Sequence, residues 1–209
     1  FCCMPTTLSS GIALTNQARG NTALALLLTV STNLLGVFTI PFVLAAVLGA
    51  VGAISLSAQS LLMKLCLTIL VPLVAGRLLR IRLGPWADAN RPRITIISNL
   101  ALISVPWMKF SQSSQRLATI AFGELLILIL AGLVIHFIYL ALNNTATRLF
   151  GFALPLRKAV VLMASQKTLP VALTVLALIP DEALSAQTKG LVAIPCITSH
   201  LGQIFVDAF

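Results

Sequence analysis

Polar residues are so sparse along this chain that they act as punctuation between apolar runs. One run extends from about Thr22 to Gly49 and is interrupted only by Ser31-Thr32-Asn33 and Pro41. A second, from about Ala58 to Leu79, contains Lys64 and Pro72. A third and shorter run, Ile94 to Met108, has Pro106 near its end, and a fourth from Leu117 to Leu142 carries Glu124 and His136. The last two runs span about Ala159 to Ile179 and Thr188 to the end. A membrane-spanning helix needs about 20 mostly apolar residues, so these runs, with the opening segment, predict seven spans. Between them lie a polar turn at Arg19-Gly20-Asn21, an uncharged turn at 49–57 and a basic loop bearing Arg77, Arg80, Arg82, Arg91 and Arg93 against Asp88. Further polar stretches are Lys109–Gln115, a loop at Asn143–Lys158 with a short interfacial helix expected near 149–152, and Pro180-Asp181-Glu182.

Two spans are themselves broken. Met4-Pro5-Thr6-Thr7-Leu8-Ser9-Ser10-Gly11-Ile12-Ala13-Leu14-Thr15 aligns without gaps with Met163-Ala164-Ser165-Gln166-Lys167-Thr168-Leu169-Pro170-Val171-Ala172-Leu173-Thr174. The following helices also correspond, with Ser31-Thr32-Asn33-Leu34 placed where Thr198-Ser199-His200-Leu201 falls later. The second break falls five spans after the first, an odd step, so the two run in opposite directions. Interrupted hydrophobic segments at matching places in two halves point to a transporter's binding site. We read an inverted repeat with a five-helix unit in a single domain, residues 1–209. Residues 1–49 end the first repeat and 58–209 make the second, with about three helices expected before Phe1.

Composition fixes the solvent. Charged residues make up 9% of the chain, hydrophobic ones 58%, and mean hydropathy is +1.03. An average soluble domain is about 25% charged, so this is an all-α integral membrane protein. The net charge of +9 then belongs to loops facing an anionic leaflet, and no basic run interleaved with surface aromatics suggests nucleic acid. Alternate loops place nine basic residues on one side (Arg19, the Arg77–Arg93 cluster, Arg148, Arg157, Lys158) and three on the other (Lys109, Arg116, Lys189), with Asp181 and Glu182. The positive-inside rule puts the C-terminus on the cytoplasmic side, or its organellar equivalent. Cys2, Cys3, Cys66 and Cys196 lie in apolar segments without ligand spacing and read as packing residues.

An ionisable residue within a span is a functional candidate, because a charge at a helix centre costs about 2.5–3.5 kcal/mol even on lenient scales. Lys167 stands three residues before Pro170, at the predicted break. There the carbonyl end of a half-helix stabilises a cation, so a fixed ammonium stands where a sodium ion would bind; the bland alternative is a lysine snorkelling to the interface. Lys64 and Glu124 enter their spans from the same side at similar depth and are expected to pair. His136 reads as a tethered packing histidine. Asn33 and His200 face related positions near the midplane. The hydroxyls of Thr6, Thr7, Ser9, Ser10, Thr15 and Thr29 offer oxygens to a hard cation or donors to an anion, although such groups commonly bond back to their own helix. Ser165, Gln166 and Thr168 complete the second break. No nucleophile–base–carboxylate set or metal cluster argues for an enzyme.

The segments Pro5-Thr6-Thr7-Leu8-Ser9-Ser10-Gly11, Ala18-Arg19-Gly20-Asn21-Thr22-Ala23-Leu24-Ala25 and Thr29-Val30-Ser31-Thr32-Asn33-Leu34-Leu35-Gly36, with the later His200-Leu201-Gly202-Gln203-Ile204 and Val206-Asp207, resemble the bile acid:sodium symporter superfamily. The closer likeness is to its sodium/bile acid cotransporter 7-like subgroup, which includes plant plastid-type members. The resemblance implies ten helices in two inverted repeats, of which this chain holds the C-terminal seven, with two broken helices crossing. It implies secondary transport of a small organic anion across a bilayer by alternating access, without a cofactor but with sodium or protons as coupling ion. It also implies a plastid envelope location in a plant or alga, and a plasma or Golgi membrane elsewhere. Ser9, Ser10, Thr29 and Gln166 match sodium-holding positions of coupled relatives. Gly11 stands near an expected Asn, Leu162 falls near an expected Glu, and Lys167 is new. That departure sets the lysine in place of one ion and leaves proton-linked, singly coupled and uncoupled transport open. A membrane-embedded regulator that binds without moving cargo is the alternative from another class.

Overall fold

The computed structural model describes residues 1–7, 9–50, 52, 57–117 and 122–209. Leu8 of the first break, most of the turn expected at 49–57 and the start of the fifth span lie outside the described residues. So do the side chains of Lys109 and Arg116. The described residues form helices throughout: α1 (Ser9–Gln17), α2 (Thr22–Ala50), α3 (Ala58–Leu65), α4 (Val71–Ala89), α5 (Arg91–Leu117), α6 (Phe122–Leu149), α7 (Leu154–Ser165), α8 (Leu169–Leu178) and α9 (Ala186–Asp207). A π-helical turn at Cys66–Leu70 joins α3 to α4 as one continuous rod. Five stretches among the described residues are long and apolar enough to cross a bilayer: Thr22–Ala50, Ala58–Ala89, Phe122–Leu149, Leu154–Leu178 and Ala186–Asp207. This is a multi-pass membrane protein.

Three of the expected loops are helical, the stretch at 109–115 because α5 continues through it to Leu117. The basic stretch of Arg77 to Arg93 is not a loop, because α4 runs to Ala89 and α5 begins at Arg91, leaving Asn90 as the turn. Leu, Ala and Arg are strong helix formers, and charge density alone does not stop a helix. Similarly, α6 continues through Asn143-Asn144 to Leu149, in place of a loop and a separate interfacial helix. Asn143 Nδ2 donates to Tyr139 O at 2.8 Å and Thr147 Oγ1 to Asn143 O at 2.7 Å. Bonding back one turn lets these polar residues remain helical. Gly151, at φ +67°, ends the helix. Phe152 N then reaches Thr147 O and Gly151 N reaches Arg148 O, both at 3.0 Å, a closure that requires a left-handed residue.

Packing concentrates on the broken helices. Met4, Val37, Ile40, Leu61, Leu65, Ala172 and Val175 form one buried cluster joining the first break to α2, α3 and α8. Leu169, Leu173, Leu176, Ala193, Cys196 and Ile197 join α8 to α9. Outward faces of α2, α4 and α6 stay apolar, with Leu27, Leu35, Phe42, Leu78, Ile127 and Phe137 all exposed; hydrocarbon is their solvent. In that solvent helices associate through close backbone approach at small residues. Gly132 of α6 is such a point: a Cβ there would lie 2.4 Å from Ser199 Oγ and 3.1 Å from Ser199 Cβ on α9. Replacing Gly132 with leucine is expected to push α6 off α9 and destabilise the fold by about 1–3 kcal/mol, the usual cost of overpacking. Thermal unfolding in detergent checks it, and an unchanged midpoint would mean that α9 can yield.

Candidate functional site

The site is made where α7 gives way to α8 and where the non-helical segment before α1 meets that break. Pro170 could not continue α7, since its ring would clash with the carbonyl of Gln166 and it supplies no N–H. The chain instead leaves α7 with Gln166 extended (φ −82°, ψ 143°), passes Lys167, and re-enters at Thr168 (φ −80°, ψ 120°), with Pro170 in the first turn of α8. The first break is likewise non-helical at Pro5-Thr6-Thr7 before α1.

Each break satisfies the other. Thr168 N donates to Pro5 O at 3.0 Å, and the Thr6 hydroxyl donates to Met163 O. The helices that follow supply the remaining partners. Asn33 Nδ2 on α2 donates to Thr6 O at 3.0 Å and Thr29 O at 2.8 Å. On α9, Gln203 Oε1 accepts from Lys167 N at 3.1 Å, and His200 Nδ1 lies 3.0 Å from Lys167 O. Non-helical backbone survives at membrane depth only with such internal partners.

Lys167 meets the carbonyl end of α7, as the residues suggest. Its Nζ donates to Ala164 O at 3.1 Å and sits 4.9 Å from the centre of the Tyr139 ring, a cation–π arrangement. Among the described residues no carboxylate pairs with it. It borders a cavity of about 260 Å³ whose wall includes Pro5, Thr6, Leu28, Thr32 and Met163. A half-buried cation thus faces a recess large enough for several heavy atoms. The surrounding oxygens are not all used. Among the described residues, Asn33 Oδ1, Gln166 Oε1 and Thr168 Oγ1 are buried without a hydrogen-bond partner, as is Thr15 Oγ1 farther along α1, which is uncommon enough to call for an explanation.

Thr6, Asn33, Gln166, Lys167, Thr168 and His200 are therefore brought together, with Thr29 attached through Asn33. Ser165 is buried and its Oγ accepts from Asn143 Nδ2 at 3.1 Å. Thr7 and Ser10 pair with each other at 2.6 Å in the first turn of α1, while Ser9 points outward and is exposed. The Thr29 hydroxyl donates to Ala25 O at 2.9 Å, the ordinary back-bond. Lys64 and Glu124 do not pair. Lys64 Nζ donates to Leu178 O at 3.3 Å, at the carbonyl end of α8, and Glu124 is exposed in the first turn of α6. Each charge complements a helix terminus, and their helices pack on different partners: α3 against α2 and α8, α6 against α7 and α9.

A second polar group escaped the sequence reading. Asp207, at the end of α9, accepts from Gln166 Nε2 at 2.6 Å and lies 2.9 Å from His136 Nε2. The side chains of His136 and Asp207 are 0% and 2% exposed. His136 is tethered, as expected, but its tether is a carboxylate that also holds the second break. The signal was available: His200, Gln203 and Asp207 are spaced to share one face of α9, at i, i+3 and i+7.

Comparison with known proteins agrees with this geometry. Residues 1–209 match the SBF-like CPA transporter family. The chain is 38% identical, over its whole length, to 49% of a protein from Arabidopsis thaliana named probable sodium/metabolite cotransporter BASS4, chloroplastic. It is 35% identical, again over its whole length, to 52% of the protein of that name from Oryza sativa subsp. indica. Similarity extends to sodium/bile acid cotransporter 7 of Mus musculus, at 26% identity over 99% of this chain and 60% of that protein. The chain thus spans about half the length of the plant relatives it matches. A match to the family along all 209 residues leads to one conclusion: this chain belongs to the SBF-like CPA transporter family.

Proposed function

We propose that this chain provides the crossing site of a secondary transporter that moves a small organic anion by alternating access, with sodium as the first candidate coupling ion. The observation that carries the proposal is Lys167, a cation without a carboxylate partner among the described residues, set beside a recess at the crossing of two broken helices. An anionic substrate group would be drawn to that ammonium. Sodium, as co-transported cargo, would be drawn to buried oxygens that now lack partners, namely Asn33 Oδ1, Gln166 Oε1 and Thr168 Oγ1; hard cations are held by such oxygen sets. Relatives named sodium/metabolite and sodium/bile acid cotransporters support the same reading.

In this proposal residues 1–49 and 58–209 belong to two inverted repeats. Support comes from the way each break is tied to a polar side chain of the next helix, Asn33 in one case and His200 in the other. Rocking of one repeat against the other would expose the site to each side in turn. The plant relatives' names favour a plastid envelope if the source is a plant or alga. The test is uptake of labelled organic anions into proteoliposomes holding the complete gene product, with sodium and pH gradients imposed separately. Sodium-driven accumulation of at least one anion is the expected result. Binding without flux would instead indicate a membrane-embedded regulator, and accumulation driven by pH alone would make the coupling ion a proton.

A further inference from the structure

The densest charge in the protein lies far from the crossing. Between Arg77 and Arg93 there are five arginines and one carboxylate, Asp88, and the whole stretch is helical except for the turn at Asn90. Its depth follows from length. Ala58–Ala89 is a continuous 32-residue rod, or about 48 Å at 1.5 Å per residue, whereas the hydrocarbon core is about 30 Å thick. With Ser57 capping the rod at the opposite interface, about twelve residues project past the hydrocarbon. Arg80, Arg82 and Trp86 fall in that projecting part, level with lipid headgroups. Trp86 is exposed, as tryptophans at the interface commonly are.

The hairpin also contains a built recess. A cavity of about 620 Å³ opens between α4 and α5. Its wall takes Leu79, Arg80, Leu83 and Trp86 from α4, and Arg91 and Ile94 from α5. Those positions follow the i, i+3, i+4 rows of each helix, so the cavity is the space between the facing sides of the hairpin. Two guanidinium groups and several apolar side chains line the same recess. Asp88, also at the wall, takes up part of one charge, with Arg80 Nη2 3.6 Å from Asp88 Oδ1; both side chains are about two-thirds exposed. Among the described residues, Arg91 has no carboxylate partner, and Arg77, Arg82 and Arg93 add to the local field.

We propose that this recess binds the headgroup phosphate of an anionic phospholipid, with Arg80 and Arg91 on the phosphate and Leu79, Leu83, Ile94 and Trp86 against the adjoining glycerol and upper acyl chain. Charge complementarity selects the occupant. Basic pockets between helices on the positively charged side of a membrane protein attract anionic lipid headgroups, arginine's planar fork suits phosphate, and the apolar wall suits a lipid better than a free ion. The site lies at the tip of the rod whose other end, α3, packs on α8. An occupied recess therefore braces an element in contact with the second broken helix.

The test uses the complete gene product in nanodiscs of phosphatidylcholine with increasing phosphatidylglycerol, read by thermal unfolding and by lipid retention in native mass spectrometry. Phosphatidylglycerol is expected to raise the unfolding midpoint and to remain bound, with both effects fading in high salt. Arg80→Gln with Arg91→Gln should weaken retention about 25-fold, at roughly fivefold per arginine, with the midpoint in pure phosphatidylcholine unchanged. Asp88→Asn, which releases Arg80, should retain the lipid more tightly. Equal retention by the double glutamine variant would overturn the assignment. So would an equal rise in midpoint from inorganic phosphate alone, or no response to anionic lipid, the result expected if another protein segment fills the recess.

Discussion

Lys167→Ala is expected to lower anion flux at least tenfold, or to change which ion drives it, while Lys167→Arg retains most of the wild-type behaviour. A tenfold loss corresponds to about 1.4 kcal/mol of lost interaction, modest for a half-buried ammonium placed against both the end of α7 and the recess. Two contributions disappear together. The Ala164 carbonyl loses a donor at a helix end where carbonyls have few other partners, and the recess loses its positive charge. Lys167→Met removes both while keeping the length of the stem, so it separates the loss of the ammonium from the loss of packing. Uptake by each variant, measured under separate sodium and pH gradients, decides the matter. Wild-type rate and unchanged ion dependence in the alanine and methionine variants would remove Lys167 from the mechanism.

The second large effect is expected at Asp207. Its carboxylate is shared between His136 and Gln166, and all three side chains are essentially out of contact with solvent. Alanine would leave His136 without a partner on either ring nitrogen, since Nδ1 already has none among the described residues. Gln166 would lose the anchor that orients it in the break. Removing one member of a buried pair typically costs about 3–5 kcal/mol, so Asp207→Ala should unfold well below wild type in detergent. Asp207→Asn keeps an acceptor oxygen of similar shape and should lose less. A destabilisation under about 1 kcal/mol for alanine, within the range of an exposed ion pair, would show that the trio does not hold the break.

What could be read from the residues alone divides along a physical line. Both breaks, the carbonyl partner of Lys167 and the inward placing of Asn33 and His200 follow from local rules: where proline interrupts a helix, what a half-helix end attracts, which polar groups an apolar run tolerates. The same rules are silent on which distant groups meet. Lys64 and Glu124 looked suited by depth alone, but their helices pack on different neighbours, and each found a helix terminus instead. Asp207 was visible on the face of α9 that carries His200 and Gln203, yet its link to His136 depends on α6 lying against α9. The charge density of the arginine stretch suggests a loop, yet helix propensity prevails there. Its helical form is what creates the recess between α4 and α5.

The bonds between the two breaks also bear on how the protein is made. Thr6 and Met163 are 157 residues apart, and the partner of Pro5 O, Thr168, emerges later still. Until α7 and α8 have been synthesised and inserted, the first break lacks these partners for its backbone and hydroxyl groups in the bilayer. Pairings so distant in sequence form slowly and leave earlier segments exposed in the meantime. The opening segment must therefore wait in a sheltered place, at the insertion machinery or in the interface, for a partner made 157 residues later. Assembly of the crossing then has to follow insertion of α7 and α8, and truncations that remove either would leave a chain recognised as unfinished.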